Sequence, residues 1–166
     1  MGELTRQGIL DELAQEKDAL LDLLSRFDDE EWETLARADG WRVHDIAAHI
    51  ADVHLTTVAT SGLASRPSHA EVGVTLPIQS NGRVDQDRLN ALRYRVNRDL
   101  SREAVMARLY EAFTVLRETI ERARLAGPGP YGPPETMLEW FYAAVSHNRT
   151  HRLELQALFE TRDERA

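Results

Sequence analysis

The sequence predicts an all-α fold, a bundle of four principal helices with one extra short helix and a long loop after the second. Three observations carry that expectation. Apolar residues recur at steps of three and four through most of the chain, no stretch alternates apolar and polar residues long enough to make a strand, and glycine and proline gather at a few breaks.

From Thr5 to Phe27, Ile9, Leu13, Leu20, Leu24 and Phe27 form the stripe of a long amphipathic helix, with Thr5 as its N-cap. Asp28-Asp29 stops it and can cap a short helical turn through Glu30, Glu31 and Trp32; Gly40 then breaks the chain. The second principal helix begins after Trp41, uses Val43, Ile46, Ala47, Ile50, Val53 and Val58 as its apolar side, and ends near Gly62. Asp45 sits in its first turn, where a carboxylate complements the helix dipole. Glycines and prolines from Gly62 to about Arg83 mark a long loop, which permits two consecutive helices to run parallel.

The extra helix is expected from Val84 to Arg98, with a break at Asp99-Leu100 and a new N-cap at Ser101. Leu109, Phe113, Leu116, Ile120 and Leu125 then give a helical stripe that GPGPYGPP ends. The last helix runs from about Glu135 to Glu160.

Composition narrows the function classes. A chain of 166 residues suits one domain, residues 1–166. A net charge of −8, spread through every segment, disfavours nucleic acid as a partner. Arg93, Arg95, Arg98 and Arg102 alternate with acids and are expected to form a solvated face. No apolar run approaches the roughly 20 residues that span a bilayer, so no membrane is expected and a cytoplasmic location follows by default. With no cysteine, any sulfur chemistry must use an external thiol.

The chemistry-bearing feature is a histidine pair, His147 and His151, one helical turn apart, together with His49 on another helix. Three neutral imidazoles converging from two helices can hold a divalent transition metal, typically zinc or nickel, with positions left open for water or substrate. Helical phase places Asp45 and Asp52 beside His49, where a carboxylate could orient its second nitrogen. It places Glu154 three residues beyond His151, as a fourth ligand, an orienting partner or a general base. His44, His54 and His69 are expected to be exposed or capping, and Trp32, Trp41 and Trp140 to be core or rim anchors. Asn148, Arg149 and Thr150 lie between the paired histidines, so the glutamate that follows the first histidine of zinc peptidases is missing and peptidase activity is disfavoured.

The phrase DGWRVHDIAAHIADVH, followed a hundred residues later by HNRTH, resembles the DinB/YfiT-like superfamily, which includes the N-terminal domain of mycothiol-dependent maleylpyruvate isomerases. Trp41, His49, His147 and His151 carry the resemblance, and VDQDRLNALRYRVNRDLSREAVMARL, with Asn90, is similar to the family's middle region. The resemblance implies a four-helix bundle in up-down-down-up order and a divalent metal on the three matched histidines. It also implies an enzyme of the thiol-dependent S-transferase or isomerase type acting on a small molecule with a low-molecular-weight thiol. A metal-dependent hydrolase and a non-catalytic binding or resistance protein are the alternatives, and relatives are often homodimers. Arg42 stands where such relatives often carry serine or threonine, which weakens the expected N-cap of the second helix.

Overall fold

The computed structural model describes residues 4–62, 77–131 and 135–162; His69 and much of the long loop lie outside them. Six helices form among the described residues: α1 (Arg6–Ser25), α2 (Asp29–Thr34), α3 (Val43–Thr60), α4 (Gln86–Asn97), α5 (Arg102–Arg122) and α6 (Met137–Glu160). Among the described residues there is no strand, only isolated bridges, and no helix is long and apolar enough to cross a membrane.

Local chemistry sets the helix starts. Thr5, Asp28, Asp85, Ser101 and Thr136 each accept a backbone N–H from the first turn. Asp28 and Glu31 close a reciprocal capping box, so the expected turn becomes a helix of 6 residues. Arg42 makes no such bond as N-cap of α3; Asp45 instead reaches back and accepts the Arg42 N–H at 3.0 Å. Between α2 and α3 the chain reverses through Gly40, whose φ of 86° is the left-handed conformation glycine adopts without strain.

The four long helices touch in a closed ring, α1 against α5 and α6, and α3 against the same two. Contacts along each pair keep a constant order. Glu12 and Glu16 pair with Arg149 and Arg152 while Phe27 meets Phe159, so sequence number rises together along α1 and α6. His44 meets Leu100, Asp52 meets Arg108 and His54 meets Phe113, again rising together along α3 and α5. Arg6 reaches Ala123 and Arg102 reaches Leu24, so α1 and α5 run opposed. His49 meets His147 and Thr57 meets Trp140, so α3 and α6 run opposed.

Within this ring α3 is enclosed by α2, α4, α5 and α6. Nearly every residue from Val43 to Val58 is buried, and each large apolar side chain so enclosed contributes about 1.5–3 kcal/mol. That enclosure overturns two expectations. His44 and His54 are fully buried, because α3 has no solvent face to turn them toward. His44 offers Nε2 to the Leu100 carbonyl at 2.9 Å, whereas His54 stands edge-on to Phe113 with no partner for either ring nitrogen. Trp32 is a core residue, and Trp41 and Trp140 pack on the core's margin.

Candidate metal centre

The antiparallel approach of α3 and α6 brings His49 opposite the His147–His151 pair. His147 Nε2 lies 3.1 Å from His49 Nε2 and 3.0 Å from His151 Nε2. Nitrogens bound to one divalent ion at about 2.0–2.1 Å lie roughly 3–3.4 Å apart, so this spacing fits a single ion. When all three nitrogens are unprotonated they present lone pairs to one another, a repulsion that a shared cation reverses. Small side chains allow the approach: Ala48 lies beside His49, and Ala144 precedes His147 by one turn.

His49 and His151 are buried, and His147 is the most open of the three. Burial, then the neighbouring His151 and His147, pushes the His49 imidazole down to about 3. Burial and His151 also hold His147 below its ordinary value. Both rings are therefore neutral at pH 7, the state in which imidazole ligates a metal.

Glu154 lies behind His151. Its Oε2 accepts the His151 Nδ1–H at 2.6 Å, so the ring's other nitrogen is directed at the cluster. Burial pulls the Glu154 carboxyl up, but His151 and Arg37 outweigh it and hold the group below its ordinary value. The carboxylates expected beside His49 turn elsewhere. Asp45 binds Arg42 and His44, and Asp52 binds Arg108 at 2.6 Å and Asn97 at 2.7 Å. Helical phase puts both near His49, but cationic and amide donors from other segments hold them.

The Trp41 ring packs T-shaped against His49, 5.1 Å between ring centres. Beside His49 and His147 opens a cavity of about 280 Å³ between α3, α4 and α6. Trp140 and Ala143 form part of its apolar wall, while Gln86, Asn90 and Arg93 supply a polar stripe from α4. Arg93 corrects the expectation of a solvated arginine face: it is buried, and its Nη1 donates to the Asp52 carbonyl at 2.6 Å and to Thr56 Oγ1. An arginine in a run alternating with acids carries no local sign of this burial. The nearest signal is Asn90, one turn earlier on the same face.

A family model described as the mycothiol maleylpyruvate isomerase N-terminal domain matches residues 13–156. The chain belongs to this family. The matched span of the mycothiol maleylpyruvate isomerase N-terminal domain begins in α1 and ends in α6, so it includes Trp41 and all three clustered histidines. Membership places the chain in the DinB-like superfamily that the tryptophan-led helix and the histidine pair resemble. Comparisons with curated proteins and with solved structures found no match.

Proposed function

We propose that this chain is a divalent-metal-dependent enzyme of the thiol-dependent transferase or isomerase type, acting on a small molecule held in the cavity beside His49 and His147. The observation that carries the reading is the meeting of three Nε2 atoms, one of them backed by Glu154 through the opposite nitrogen of its ring. The pairwise order of helix contacts supports the four-helix, up-down-down-up arrangement on which this convergence depends, with α1 and α6 alongside each other and α3 and α5 opposed to both.

His49, His147 and His151 are the residues that would hold the ion, zinc or nickel by the chemistry of an all-imidazole set. Bound there, a divalent ion supplies Lewis acidity that lowers the pKa of an adjacent thiol or water. The chain's own residues do the rest. Glu154 keeps the Nδ1 proton of His151 in place and so fixes the tautomer. Trp41 packs against His49 and shields that flank from water, while Trp140 forms part of the apolar wall of the cavity. The absence of cysteine means that a sulfur nucleophile would come from a separate low-molecular-weight thiol.

Elemental analysis of untagged protein, followed by turnover of a small electrophile with several biological thiols, tests the reading. Bound metal in the wild type, its loss in each of His49→Ala, His147→Ala and His151→Ala, and turnover requiring both metal and thiol are expected. Stoichiometric metal in the triple variant would sink the ligand assignment. Turnover without thiol would make the protein a metal-dependent hydrolase, and stoichiometric binding without turnover a sequestering protein.

A further inference from the structure

The charge of the cavity wall is unlike that of the chain. The whole sequence carries −8, yet among the described residues no carboxylate side chain lines the cavity, and its one charged lining residue is Arg93.

Arg93 is also incompletely matched. It is only 4% exposed, and its Nε is buried without a hydrogen-bond partner. Both of its bonds among the described residues are made by Nη1 to neutral acceptors, the Asp52 carbonyl and Thr56 Oγ1. The one carboxylate nearby, Asp52, spends its two oxygens on Arg108 and Asn97. Two guanidinium groups thus share one buried carboxylate, and of the two only Arg93 lines the cavity. A buried cation with a free donor stabilises an anion far more than water does, because the surrounding dielectric is low and the guanidinium is already held in place.

We propose that Arg93 is an anion-binding residue that sets the charge specificity of this cavity. The ligand class is a small organic anion, such as a carboxylate, with its charged end toward Arg93 and Asn90 and its apolar body against Trp140 and Ala143. This deepens the proposed function, since it rests on the cavity being the substrate site, but it does not require a metal to be bound.

The test uses butyrate and its neutral isostere butyramide, titrated into the full chain in zinc-loaded and in chelator-stripped form, with the Trp140 indole resonance as the readout. Butyrate is expected to bind at least about tenfold more tightly than butyramide in both forms, the discrimination of one charge-assisted hydrogen bond. Arg93→Gln removes that preference, and Arg93→Lys, which keeps the charge and loses the fork, retains part of it. Equal binding of the two probes to the wild type overturns the proposal whether or not either variant folds. So does a preference that survives Arg93→Gln, or one seen only with zinc, which would assign anion binding to the ion. If the preference is present in a protein that never retains zinc, the metal reading fails and this one stands. Zinc bound without the preference overturns anion binding by Arg93 and leaves the metal reading standing.

Discussion

Arg37 Nη1 donates to Glu154 Oε2 at 2.5 Å, the same oxygen that accepts the His151 ring proton. The guanidinium also lies 5.3 Å over Trp41, which packs T-shaped against His49, and the Arg37 backbone N–H reaches the Trp41 carbonyl at 2.9 Å. One loop arginine therefore braces partners of two clustered histidines, one on each helix.

Arg37→Gln should weaken zinc binding by roughly 10–100-fold, the usual cost of losing an outer partner of a metal-ligating histidine. Competition against a chromogenic chelator measures it. The helical circular dichroism should be unchanged, because the backbone bond to Trp41 does not involve the lost side chain. Wild-type affinity in the variant would show that the contact is only a surface ion pair.

Asp52 offers a stability test independent of metal. It is 1% exposed and is bonded to Arg108 and Asn97, with Arg93 bound to its carbonyl. Asp52→Ala leaves two guanidinium groups without their carboxylate and should cost about 3–5 kcal/mol in urea unfolding. Arg108→Met with Asp52→Ala should recover part of that loss, since the double variant removes one of the stranded charges.

The His44–Asp45–Arg42 group predicts the pH profile. Burial raises the Asp45 carboxyl, but His44 and Arg42 outweigh it and hold it below its ordinary 3.8. The Asp45 contribution is therefore present above pH 3.8 and is lost as pH falls through the depressed folded value. The hydrogen bond to Asp45, against burial, holds His44 above its ordinary 6.5. Its contribution is complete below pH 6.5 and is lost as pH rises through the raised folded value. Both are present together between those limits. Asp45→Ala should cost about 3 kcal/mol near pH 5.5 and less near pH 9, since the His44 contribution is lost as pH rises through its raised folded value. Equal losses at both pH values would remove the His44 imidazolium from the account.

Zinc should stabilise the fold by mass action. At a free concentration about 100 times its dissociation constant, a ligand specific for the native state adds about 2.7 kcal/mol. Thermal unfolding with and without added zinc should show the shift in the wild type and not in His49→Ala. A comparable shift in that variant would place zinc elsewhere on the chain.

Local chemistry is legible in the sequence, and chemistry between elements is not. Thr5, Asp28 and Ser101 can be read as caps because a cap bonds a backbone only two or three residues away. His147 and His151 can be paired because one helical turn fixes their relation, and the three-residue offset of Glu154 gives the His151 contact directly. His44 and His54 defeat the same reading because a helix enclosed by four others has no polar face, whatever its pattern of residues. Asp45 and Asp52 have the right phase relative to His49, but phase cannot tell that Arg42, Arg108 and Asn97 compete for their oxygens. Arg37 and Arg93 act across large sequence separations, and nothing in their neighbours marks them.

The placement of α4 has a consequence for how such a protein diversifies. This helix packs chiefly on α3, outside the ring of four, and presents Gln86, Asn90 and Arg93 to the cavity from one of its faces. The histidines lie on α3 and α6. The clustered histidines and the α4 wall of the cavity are thus written on separate pieces of chain, so exchanging three side chains on one short helix would recast that wall and leave the histidine cluster untouched.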